Sequence, residues 1–214
     1  LLSISFTRDC QPGYTEINSL CFHSGDLNIL QKFIDNSYAT GFTEQNCDEG
    51  DPYCGSPNPY MDSVDAWFGI VVDSIGFENG FQNGNGVVEP LELGIQEWDN
   101  GRLTKLMCGA YIYCQLSGPI PLEIGDLSEI EILRLEINYL SGFVPSSICD
   151  LNVDTGDYLD FDLTGNKLCP PYPDCIDQDQ QFWYQNQSEC TSIGDINFDS
   201  SINIVDIILL ITFI

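Results

Sequence analysis

The stretch LSGPIPLEIGDLSEIEILRLEINYLSGFVP, residues 116–145, decides how this chain is read. Its opening, Leu116-Ser-Gly-Pro-Ile-Pro121, returns as Leu140-Ser-Gly-Phe-Val-Pro145, a recurrence of 24 residues (121 to 145). Between the copies, apolar residues stand at Ile124, Leu127, Ile130, Leu133, Leu135, Ile137 and Leu140. A third, stretched copy places Leu159, Phe161, Leu163, Asn166 and Leu168 with its Asn 28 residues on (138 to 166), NVDTGDY supplying the extra length. The alternation predicts one short strand per copy, as in Leu133 to Asn138, with every second side chain entering a shared core. The Pro-Ile-Pro and Val-Pro segments favour an extended return path over a full helix. Asn138 and Asn166 sit where a buried side-chain amide can satisfy turn backbone groups of neighbouring copies, and Cys114 holds that place in the first copy (114 to 138).

Working outward, the 214 residues carry 33 Asp and Glu against 6 Lys and Arg, a formal charge of −27. Phosphate backbones repel such a chain, because nucleic-acid affinity rests on Lys and Arg releasing counterions; anionic membrane surfaces are disfavoured for the same reason. With 43% hydrophobic and 12% aromatic residues it is no disordered acidic tail, and a packed core is expected. The ten cysteines include no Cys-x2-Cys pair, and the single histidine, His23, stands alone, so disulfides in an oxidising compartment are expected rather than zinc. Adjacency suggests Cys10 with Cys21, Cys47 with Cys54, Cys108 with Cys114 and Cys169 with Cys175, though spacing fixes no connectivity. The chain opens at Leu1 with LLSISFT, too short for a complete signal peptide, which reads as a mature or trimmed product. No apolar run reaches the roughly 18 residues of a membrane span. The expected location is secreted, extracellular or cell surface.

Three regions follow: residues 1–100, 101–190 and 191–214. In the first, DLNILQKFIDN, Asp26 to Asn36, spaces Leu27, Leu30, Phe33 and Ile34 as a helix. Residues 42–100 are rich in Gly, Asn and Pro and read as a surface insertion, irregular and disulfide-tied, with a short helix expected within Val88 to Asn100 around Leu91, Leu93, Ile95 and Trp98.

The pattern of Ile130 to Leu151, and of Leu116 to Leu127, resembles the plant-type leucine-rich repeat, whose period falls at roughly 20–29 residues. Trp67-Phe68-Gly69-Ile70 and Gly101-Arg102-Leu103-Thr104-Lys105-Leu106 resemble that family's N-terminal cap and its entry into the first repeat; Asn166-Lys-Leu-Cys169 with Cys175 resembles the C-terminal cap. The resemblance implies an α/β fold: a short leucine-rich repeat solenoid of two to three repeats with disulfide-stapled caps, leaving little of the concave sheet on which longer members bind ligands.

The last region reads GDINFDSSINIVDIILLITFI. Asp195, Asn197, Asp199, Ser201 and Asp206 fall at positions 1, 3, 5, 7 and 12 of a twelve-residue loop. Calcium needs six to eight oxygens, and a tight loop presents side chains at 1, 3 and 5, a carbonyl at 7 and a carboxylate at 12. The segment resembles one half of a type I dockerin, EF-hand-like, with Ser200 where the turn glycine belongs. A weaker second calcium candidate takes Gly86 as position 6, putting Asn83, Asn85 and Glu92 at 3, 5 and 12 and Phe81 at position 1, where oxygen is required. From Ile202 to Ile214, ten of thirteen residues are apolar, so this helix is expected to pack on the repeats or on another molecule.

No catalytic signature is present: no G-x-S-x-G elbow, no Walker loop and no histidine for a nucleophile besides His23, which reads as a capping or surface residue beside a disulfide half, Cys21. The expectation is therefore a non-catalytic extracellular calcium-binding protein acting in protein–protein interaction, adhesion or assembly, including as a subunit of a surface polymer or filament. It would meet a protein partner or itself through Ile202 to Ile214. The alternative is a dockerin-like module attaching to a cohesin-type, polysaccharide- or carbohydrate-associated complex. Asn186-Gln-Ser188 is a glycosylation sequon.

Overall fold

Asn18 and Ser19 both take positive φ, 51° and 66°, the backbone that lets a two-residue turn follow the twist of its flanking strands. They join β1 (Tyr14–Ile17) to β2 (Leu20–His23), an antiparallel hairpin closed by the Cys10–Cys21 disulfide. The computed structural model of the chain describes residues 10–42, 53–73, 77–78, 81–109, 111–176, 184–190, 204 and 208. Helix α1 (Ser24–Thr40) follows the hairpin at once, its N-cap the His23 side chain and its C-cap Gly41 at φ 59°. It outruns the Asp26 to Asn36 expected from periodicity because nothing in Ser37-Tyr-Ala-Thr40 breaks a helix before Gly41. Leu27, Leu30, Phe33 and Ile34 are buried, as that spacing requires.

Two sheets lie beyond the helix. Strands β3 (Ile70–Val72), β4 (Phe77–Glu78), β5 (Ile95–Asp99) and β6 (Arg102–Met107) precede β7 (Ser117–Gly118), β8 (Ile132–Arg134), β9 (Tyr139–Phe143), β10 (Phe161–Asp162) and β11 (Lys167–Cys169). One sheet runs β10-β8-β6-β5-β3-β4, the other β11-β9-β7. From β6 onward neighbours are parallel: Leu106 lies beside Leu133 and Leu133 beside Phe161, while Tyr139 lies beside Ser117 and Ser141 beside Lys167. Each parallel neighbour is thus a full circuit of chain away. Leu103, Leu106, Leu116, Leu133, Leu135, Leu140, Phe161, Leu163 and Leu168 are all buried in one hydrophobic core. Each such leucine contributes ~1.5–3 kcal/mol relative to an exposed one. Short 3-10 turns at Ile124–Asp126 and Ser146–Asp150 make the return path and bury Ile124 and Ile148. In the third copy Leu159 is 53% exposed; the core begins there at Phe161.

The entry segment has a physical explanation. Gly101 takes φ +73°, and a Cβ there would lie 2.3 Å from the Cys21 carbonyl oxygen, so only glycine lets this turn meet β2. Arg102 then donates Nε and Nη2 to the buried Asp26 carboxylate at 2.8 and 3.0 Å, and the Leu103 amide adds a third bond at 3.0 Å. One carboxylate thereby ties the start of α1 to the start of β6.

Three sequence expectations need correction. Residues 95–99 form strand β5, with only a short 3-10 turn at Pro90–Glu92 before it. Within β5 the buried Gln96 and Trp98 alternate with the period of a strand, and Gly94 at φ +68° stops any helix before it. The described part of 42–100 is no surface appendage either: Met61, Phe68, Ile70, Leu93 and Trp98 are buried, and β3 and β5 extend the main sheet. Trp98 packs edge-on against Phe22 at 4.9 Å and donates its indole N–H to Gln96. Finally, Cys169 pairs with Cys190 and Cys175 with Cys149, because the fold, not adjacency, brings their Cα atoms to 5.6 and 5.7 Å. Cys108–Cys114 forms as expected, and Cys54 is disulfide-bonded; Cys47 lies outside the described residues.

Candidate functional site

The residues with the strongest metal-ligand spacing, Asp195, Asn197, Asp199, Ser201 and Asp206, lie outside the described residues. Of the following segment, Ile204 and Ile208 are helical and 67% and 55% exposed.

The second candidate, Asn83, Asn85 and Glu92, lies in a loop that the structure brings together with two acids the spacing did not single out, Asp62 and Glu89. Phe81, at the first loop position, is buried against Phe22 and supplies no oxygen. Asp62, at the end of the 3-10 turn Pro59–Asp62, reaches in instead: Oδ1 accepts from the Gly84 and Asn85 amides at 2.8 and 3.2 Å, and Oδ2 from the Gly86 amide at 2.6 Å. Asn83 Oδ1 accepts from the Asn85 amide and Asn85 Oδ1 from the Val87 amide, closing two Asx turns. Glu92 is 1% exposed, and its two oxygens accept from the amides of Asn83 at 3.2 Å and Glu89 at 2.8 Å. Burial pushes the Glu92 carboxyl up to about 7; the two amide bonds oppose this, while Asp62 and Glu89 reinforce it. The carboxylate oxygens are thus turned onto the loop's own amides. Among the described residues no group of three or more His, Cys, Asp or Glu side chains is placed to hold a metal ion.

Among the described residues, positive charge is committed within the fold. Arg102 pairs with Asp26, Lys105 with Glu97 at 2.6 Å, Arg134 with Glu136 at 2.6 Å, and Lys32 with Glu123, whose carboxyl it holds below the usual range. Lys167 lies 5.8 Å from the centre of the Phe42 ring. Among the described residues other carboxylates face solvent, including Glu131, Asp150 and Asp154. His23 bonds Asp26 at 2.9 Å and caps α1, and Cys21 is oxidised, so neither has a catalytic arrangement. A small pocket of about 140 Å³ between α1 and β7, β9 and β11 reaches Ser117, whose hydroxyl bonds Ser56 at 2.6 Å and Thr40 at 2.7 Å; no histidine lines it.

The most regular polar feature is a ladder of buried amides. Asn138, 4% exposed, accepts from the Leu116 amide at 2.9 Å and donates to the Cys108 and Leu135 carbonyls at 2.7 and 2.9 Å. Asn166, 2% exposed, accepts from the Leu140 amide at 3.1 Å and donates to the Leu135 and Leu163 carbonyls at 2.9 and 3.0 Å. Sequence reading missed the next rung. Gln185 accepts from the Leu168 amide at 3.2 Å and donates to the Leu163 carbonyl at 2.7 Å, doing for the last circuit what Asn does for the others. Its only signal was a position shortly before Cys190, outside the repeat pattern. The residue preceding each Asn or its Cys equivalent takes positive φ: Tyr113 at 54°, Ile137 at 54° and Gly165 at 71°.

No protein-family model matches the chain, and no curated protein resembles it closely enough to count as a relative.

Proposed function

We propose that this chain is a secreted, non-catalytic leucine-rich repeat scaffold that binds calcium through Asp195, Asn197, Asp199, Ser201 and Asp206 and joins protein assemblies through its C-terminal apolar helix. The observation that carries the scaffold reading is the amide ladder. Asn138 and Asn166 hold equivalent places in successive copies, and each bridges two neighbouring circuits by the same pair of contacts. Such bonds serve shape, since they satisfy turn backbone with neutral groups and leave no side chain for chemistry. The four described disulfides suit an oxidising compartment, and no helix among the described residues is long and apolar enough to cross a membrane.

The calcium assignment rests on five oxygen-bearing residues at fixed loop spacing. Assembly is supported by the exposure of Ile204 and Ile208 and by a charge of −27, which obliges contact to be apolar or cation-bridged. Melting in calcium against chelator tests the first part: saturating calcium should raise stability by ~2–4 kcal/mol, and Asp195→Ala with Asp199→Ala should abolish that gain. An unchanged melting temperature rejects the calcium site. Light scattering tests the second: association in calcium is expected, and a chain that stays monomeric at every concentration rejects self-assembly in favour of a foreign, cohesin-type partner.

A further inference from the structure

Asn186-Gln187-Ser188 is the single Asn-x-Ser/Thr triplet in the sequence, and all three residues are exposed. Asn186 caps the 3-10 turn Gln187–Glu189: its Oδ1 accepts from the Ser188 amide at 3.1 Å and its own backbone amide donates to the Asn166 carbonyl at 2.8 Å. Neither bond uses Nδ2, which donates to no acceptor among the described residues. The turn is held from both sides, by Gln185 on the last circuit and by the Cys169–Cys190 disulfide. An acceptor nitrogen thus stands on a fixed, outward-facing turn, where a bulky group on Nδ2 displaces no core contact.

We infer that Asn186 is an N-glycosylation site and that its oligosaccharide covers the terminal end of the stacked strands. The donor class is a lipid diphosphate-linked oligosaccharide. The bond formed is Nδ2 to the sugar C1; the bond broken is C1 to the diphosphate oxygen, which leaves with the electron pair, while the amide proton passes to a base of the transferase. Ser188 supplies the hydroxyl that such transfer recognises two residues on. Among the described residues β10 and β11 are the terminal strands of their sheets, and Asn186 bonds the residue immediately before β11. An open strand edge is a template for pairing with another chain, and a hydrated glycan beside it opposes that. The inference rests on the extracellular part of the proposed function, without requiring calcium or assembly.

The test is mass spectrometry of the full chain secreted from a eukaryotic host, digested before and after peptide N-glycosidase in heavy-oxygen water, with disulfides scored in the same digest. The expected result is an occupied Asn186 that the enzyme converts to heavy-oxygen-labelled aspartate. Asn186→Gln and Ser188→Ala should abolish occupancy, and Ser188→Thr should keep it. Unmodified Asn186 in a chain whose disulfides have formed overturns the inference and leaves the scaffold reading standing. Enzymatic removal of the glycan from the folded protein should raise light scattering severalfold; unchanged scattering rejects the covering role.

Discussion

The stacked circuits after β6 and the loop 81–92 face the same problem, a turn whose buried amides need acceptors, and they meet it with opposite chemistry. In the circuits a neutral Asn or Gln accepts one amide and donates to one or two carbonyls, so donors and acceptors are satisfied together with no charge taken from water. In the loop two carboxylates, Asp62 and Glu92, accept five amides between them and donate nothing. An amide ladder is indifferent to pH and can be repeated indefinitely. A carboxylate clamp packs acceptors more densely, but it places like charges together, and one of them then titrates near neutrality.

Three substitutions break or sharpen that contrast. Asn138→Ala should have the largest effect, ~3–5 kcal/mol in urea unfolding, because it strands the Leu116 amide and two carbonyls in the core. A loss below ~1 kcal/mol would mean the ladder is incidental. Glu92→Gln comes next and is read through pH. The Glu92 carboxyl rises from 4.5 to about 7 in the folded protein, so its contribution is fully present below pH 4.5 and is lost as pH climbs through 7. The wild type should therefore lose ~1–3 kcal/mol relative to the variant between those limits, seen as a difference in unfolding free energy measured across pH. Equal slopes would remove the liability assigned to the clamp. Gln185→Ala should cost least, ~1–2 kcal/mol, since it caps only the final circuit. Hydrogen exchange should then quicken at Leu168 while Leu116 stays protected, and uniform loss of protection would show the circuits unfold as one unit.

Much of the circuit region was legible because its signals are local and periodic. Leu133, Leu135 and Asn138 announce their burial by spacing alone, and the helix at Leu27 to Ile34 does likewise. The clamp was half legible. Asn83, Asn85 and Glu92 carry a loop spacing, whereas Asp62 stands 22 to 24 residues before the amides it accepts and comes to the loop through a fold in which Met61 and Phe81 are both buried in the core. Strand β5 was misread because Leu91, Leu93, Ile95 and Trp98 satisfy a loose helical spacing, while Gly94 and pairing with β3 and β6 decide for a strand. The Cys169 pairing failed on adjacency for a related reason: a disulfide follows Cα separation, to which sequence distance is only a weak guide.

The sequence by itself determined the 24-residue recurrence, the leucines that fill the core of the circuits, the two ladder asparagines, the charge that argues against nucleic acid, and the spacing that proposes calcium. Each is a property of neighbouring residues or of composition, which survive without coordinates. Only the tertiary structure decided that Gln185 completes the ladder, that Asp62 enters the loop of Glu92, that Asp26 joins α1 to β6 through Arg102, and that Asn186 sits on a turn at the end of the strands. Those are contacts between chain segments far apart in sequence, and hydrogen-bond geometry across such a gap leaves no periodic trace in the residues that make it.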